Sequence, residues 1–142
     1  MELQLGKLKT NTMNPDTVAI KSLAHLGDAV YELFIRQKVI AKTSKINDVH
    51  KLTTQLVNAS FHARLLDFLM PHLTEKEVTL IKRGRNTSLT SSKRKDQAAH
   101  RLSTALEALI GYMYLSDFQR LEEIFLLIDT FIVHDQKDSA KA

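Results

Sequence analysis

Cysteine is missing from all 142 residues, which excludes disulfides, zinc–thiolate centres and thiol catalysis at once. Any metal must then be held by oxygen or imidazole. Glycine occurs only four times, and no cluster of it forms a Walker sequence or a dinucleotide fingerprint. The six histidines show no HxxxH or HExxH spacing, so the zinc-hydrolase signature is absent too. No apolar run approaches the roughly 20 residues of a membrane span, and residues 1–13 lack the continuous apolar core of a signal peptide. The expectation is a cytoplasmic protein with no membrane partner. Repeats, linkers and strand-rich stretches are also lacking. Residues 1–142 therefore read as one domain, with 1–13 as a mobile arm and 135–142 as a fraying tail.

What is present is ordinary for a folded chain: 44% hydrophobic and 25% charged residues, enough for a real core. A formal charge of +4 and a pI near 9.4 favour polyanionic partners. One local absence sharpens this. Between Val78 and Lys95 there is no acid, while Lys82, Arg83, Arg85, Lys93, Arg94 and Lys95 surround Asn86, Thr87, Ser88, Thr90, Ser91 and Ser92. Such a basic, hydroxyl-rich loop contacts phosphates without reading sequence. The plainer alternative is a solvated surface loop.

The apolar periodicity is helical throughout. Asn14-Pro15-Asp16 gives an N-cap, a proline at the first position and an early acid, predicting a helix over 14–41. A second helix follows from a cap at Asn47 or Asp48, and a third spans 60–70 and stops at Pro71. Thr74 and Glu77 have capping-box spacing and open a fourth that ends near Gly84. The fifth covers 96–116 and the last 117–134. Ser103 and His100 stand three apart on the fifth, but without a nucleophile elbow that pairing carries no chemistry.

Two of these helices share an odd design. From Leu23 to Val30 the single charge is Asp28, next to Gly27; from Ala105 to Leu115 it is Glu107, with Gly111 one turn on. Glycine costs a helix about 1 kcal/mol relative to alanine, so its use suggests close backbone packing. Two such helices crossing at their glycines bring both carboxylates to one point, where like charges need a cation. Magnesium suits that role, being held by one or two carboxylates plus substrate phosphate. The alternative for each acid is a buried ion pair, with Arg101 or Arg36 as partner. Glu32, four residues past Asp28, is a possible outer ligand or a partner of Arg36. The helix over 23–34 also carries more apolar surface than one crossing partner covers, which points to a homodimer.

At Leu26-Gly27-Asp28-Ala29-Val30 and at Leu106-Glu107-Ala108-Leu109-Ile110-Gly111-Tyr112-Met113-Tyr114-Leu115 the chain resembles the catalytic domain of the ribonuclease III family. Within that family it is most similar to the Mini-ribonuclease III branch, which has no double-stranded-RNA-binding domain. Tyr31-Glu32, Lys82-Arg83-Gly84-Arg85-Asn86 and Arg101-Leu102-Ser103-Thr104-Ala105 carry the narrower likeness. The resemblance implies an all-α, homodimeric endonuclease that cuts double-stranded RNA with Mg2+, Mn2+ being a possible substitute, and leaves 5′-phosphate and 3′-hydroxyl ends. For the Mini branch it implies maturation of large-subunit (23S) ribosomal RNA precursor. Asp28 and Glu107 are then the catalytic metal ligands, and the six cations hold RNA. Further acids stand in the family four residues before the signature Asp and three before the signature Glu; here those places hold Ala24 and Thr104, the latter a possible support through a water. The rival readings are a non-catalytic RNA-binding member of the same fold in ribosome assembly and, more distantly, a helical protein-interaction module.

Overall fold

A computed structural model of the chain describes residues 13–87 and 97–141, with side chains to Lys137. Among the described residues there are six α-helices and no strand: α1 (Ile20–Lys42), α2 (Ile46–Val57), α3 (Ala59–Leu69), α4 (Glu75–Thr87), α5 (Gln97–Ser116) and α6 (Phe118–Lys141). The all-α expectation holds. The expected mobile arm lies outside the described residues except for Met13.

The centre of the bundle is α5. Ala105, Leu106, Ala108, Leu109 and Ile110 are each 0% exposed, so this helix is apolar on nearly every side and is buried accordingly. It packs against α1, α3, α4 and α6. The α1 helix lies along it and also meets α2, α4 and, through the stacked rings of Phe34 and Phe125 at 4.1 Å, α6, leaving Asp28, Leu33 and Ile40 exposed. The premise of a single crossing partner was therefore wrong: Leu23, Val30, Tyr31 and Phe34 are all buried within the chain.

Several helix ends differ from expectation for local reasons. Asn14 caps a single 3-10 turn, Pro15–Thr17, instead of the long helix. Its carbonyl accepts both the Thr17 amide and the Thr17 hydroxyl, and Tyr112 Oη donates to Asp16 at 2.7 Å, which ties the turn to α5. Extended residues Val18 and Ala19 then separate it from α1. The second helix starts from Lys45 with no side-chain cap. Asn58 caps α3 through the Phe61 amide at 2.8 Å, while Pro71 sits in a following 3-10 turn, Met70–His72.

The Thr74–Glu77 capping box forms as read, with bonds of 2.9 and 3.2 Å. Gly84, however, does not end α4, which runs on to Thr87. A Cβ there would lie 2.8 Å from Ala105 Cα, so this glycine serves helix contact and not helix termination. The last helix continues past the expected end at His134. Asp135 pairs with Arg64 and Gln136 accepts from Lys42, which ties down the first two residues of the segment expected as a tail. Among the described residues no helix is long and apolar enough to cross a membrane.

Candidate active site

The glycines put α1 and α5 in backbone contact. A Cβ built on Gly27 falls 1.7 Å from the Glu107 carbonyl oxygen, and one on Gly111 falls 2.0 Å from that of Leu23. No side chain fits in either place, so only glycine permits this crossing.

Asp28, next to Gly27, faces solvent, and Glu107 is half-buried beside it. Burial, a hydrogen bond with Asp28 and the charges of Asp28 and Glu32 together push the Glu107 carboxyl up to about 9, so the pair holds a proton near neutrality. Among the described residues no cation pairs with either acid, and Arg36 is taken by Glu32 at 3.2 Å. The ion-pair alternative therefore has no partner here. Two carboxylates forced together, both with oxygen donors, are a set that fits a hard divalent cation. No third His, Asp or Glu joins them in a ligand group among the described residues.

The other expected residues fall around this point. Ala24 is buried and offers no donor. The Thr104 hydroxyl donates to the His100 carbonyl at 3.1 Å, so its hydrogen is committed within α5. Glu32 is half-buried and close enough to raise Glu107. Lys82, Arg83 and Arg85 are exposed on α4, on either side of the Gly84 contact with Ala105. They belong to a helix and not to a loop, because α4 extends through Thr87. Lys93, Arg94 and Lys95 lie outside the described residues. A separate groove of about 460 Å3, lined in part by Lys76, Arg83, Tyr112 and Arg120, contains neither carboxylate.

Sequence reasoning missed the layer behind the acids. Ser103, weighed only against His100, meets His62 of α3, with Oγ and Nδ1 sharing a hydrogen bond of 2.6 Å. Burial holds the His62 imidazole down at about 4 against a smaller upward pull from Asp28, so it is neutral. Tyr31, whose phenol burial and then Glu107 push upward, donates to the Leu56 carbonyl at 2.5 Å. A signal was available: His62 is a polar side chain on the apolar face made by Phe61, Leu65, Leu66 and Leu69.

A family model described as the ribonuclease III domain matches residues 21–117. The chain is 42% identical over 123 residues to Mini-ribonuclease 3 of Gloeobacter violaceus, covering 87% of this chain and 91% of that one. It is 39% identical to Mini-ribonuclease 3 of Symbiobacterium thermophilum, with 87% and 97% covered. A crystal structure of a Fusobacterium nucleatum protein superposes with a TM-score of 0.71 at 30% identity, over 86% of this chain and 98% of the other.

Proposed function

Because the chain belongs to the ribonuclease III family, we propose that Asp28 and Glu107 hold the divalent metal with which it cuts double-stranded RNA. The chain is an endoribonuclease, a phosphodiester hydrolase of a family that depends on divalent metal. The observation that carries the residue assignment is the contact of two carboxylates at a glycine crossing with no cation beside them among the described residues.

When bound, Mg2+, or Mn2+ in its place, supplies Lewis acidity toward the phosphoryl oxygen and a nucleophile at neutral pH. Asp28 and Glu107 would hold it, with the Glu107 proton released to solvent. Glu32 adds negative potential one turn away while staying paired with Arg36. Ala24 and Thr104 leave the protein with two acids where the family has four, so Asp28 and Glu107 would be the carboxylates that hold the metal. Lys82, Arg83 and Arg85 lie on the outer face of α4 and grip backbone phosphates, with Lys93, Arg94 and Lys95 adding to the same basic run. The products are 5′-phosphate and 3′-hydroxyl ends. The substrate is 23S ribosomal RNA precursor, cut in the cytoplasm by a homodimer whose two sites address the two strands.

Purified protein incubated with duplex RNA, with magnesium or with chelator, tests this reading. Asp28→Asn and Glu107→Gln should each lower cleavage at least about a hundredfold, since partners that only orient metal ligands are already worth about 10- to 100-fold. RNA binding and helicity should persist. Full activity in Asp28→Asn would falsify the assignment.

A further inference from the structure

Backbone contact at Gly27 and Gly111 fixes how near α1 and α5 come, and contacts made away from that crossing hold the flanking turns of the two helices in place. A directional contact has to set where Glu107 lies relative to Asp28. Ser103 stands one helical turn before Glu107 on α5, and Tyr31 three residues past Asp28 on α1. His62 of α3 joins the two. Its Nδ1 bonds Ser103 Oγ at 2.6 Å, and its ring stands edge-on to that of Tyr31, with centroids 4.7 Å apart at 89°. Tyr31 is itself held through its hydroxyl by the Leu56 carbonyl of α2. The imidazole is 1% exposed, and its Nε2 has no hydrogen-bond partner among the described residues. A leucine would fill the volume without an unpartnered Nε2 but would take away the partner of the Ser103 hydroxyl, so it is the contact with Ser103, and not packing, that calls for histidine.

We propose that His62 is a positioning residue for RNA cleavage: by gripping Ser103 and bracing Tyr31 it sets the register and rotation of α5 against α1, and so the placement of Glu107 beside Asp28. The inference rests on the reading of Asp28 and Glu107 as the catalytic pair. His62 acts from behind them, touching neither RNA nor metal.

The test uses the full chain with duplex RNA and magnesium, and compares His62→Leu, His62→Gln, Ser103→Ala and Asp28→Asn for kcat, KM and melting temperature. His62→Leu and Ser103→Ala should lower kcat about 10- to 100-fold, the scale of a misplaced reacting group. KM for RNA should stay within about twofold, because what is lost is made only in the transition state. Melting temperatures should not fall in step. His62→Gln, whose amide still reaches Ser103, should recover most of kcat. Wild-type kcat in His62→Leu beside an inactive Asp28→Asn overturns the positioning role, whereas an active Asp28→Asn overturns the pair it rests on. A kcat loss that tracks lowered melting and is not recovered by glutamine overturns it as well, since His62 would then be packing only. If His62→Leu does not fold, Ser103→Ala, which removes one oxygen, decides by the same kcat.

Discussion

Glu107 keeps a proton that a surface glutamate would have lost. Its folded carboxyl titrates at about 9 against an ordinary 4.5, so between those values the native chain binds more protons than the unfolded one. Stability then falls as pH rises through that window. In chelator the protein should melt at steadily lower temperature from about pH 7 to about pH 9, and Glu107→Gln should flatten the trend. Equal slopes in both proteins would assign the proton elsewhere. Adding magnesium at the alkaline end should raise the melting temperature of the wild type by mass action and leave Glu107→Gln less changed. His62 has the opposite sign. Its folded value of about 4 lies below the ordinary 6.5, so it contributes stability above that window that is lost as pH falls through it, and His62→Gln should be less acid-sensitive. That Asp28 and Glu107 come together was legible because each is a lone charge beside a glycine in an apolar helix. The bond between His62 and Ser103 was not, because periodicity says which face a residue shares and not which distant helix meets it.

At the scale of elements, glycine was legible as close packing in one place and misread in another. Gly27 and Gly111 stand inside strongly apolar runs, where only contact explains them. Gly84 stands at the edge of one, where a helix end and a helix contact look alike. Gly27→Ala should destabilise the fold by about 3 kcal/mol or more, the upper end of overpacking, because the new methyl strikes backbone and not a side chain that moves aside. Gly84→Ala meets Ala105 less severely and regains about 1 kcal/mol of helix propensity, so denaturant unfolding should show the smaller loss. The basic run was legible as charge, yet its first half lies on α4. Replacing Lys82, Arg83 and Arg85 by Gln should reduce the salt dependence of RNA binding by about 0.9 in log–log slope per lost phosphate contact. The single-turnover rate at saturating RNA should stay close to wild type, and an unchanged salt slope would make these cations bystanders.

For the whole molecule, light scattering at micromolar concentration should give a mass of about 32 kDa, twice the chain's 16.1 kDa. A monomeric mass with cleavage intact would rule out the dimer. The sequence argument for that dimer assumed one neighbour for α1, and sequence cannot count neighbours. The fold supplies several, and on α1 what stays open is narrower, Leu33 at 37% and Ile40 at 64% exposed, with Leu126 and Val133 exposed on α6. The crossing that builds the site also imposes an order in time. Gly27 is synthesised before Gly111, and at about 5–20 residues per second the second follows the first by an interval on the order of ten seconds. Throughout it, the part of α1 that will carry Asp28 has no α5 to lie against. Asp28 and Glu107 therefore meet only after Gly111 has been made, and until then the chain holds neither the crossing nor the carboxylate pair.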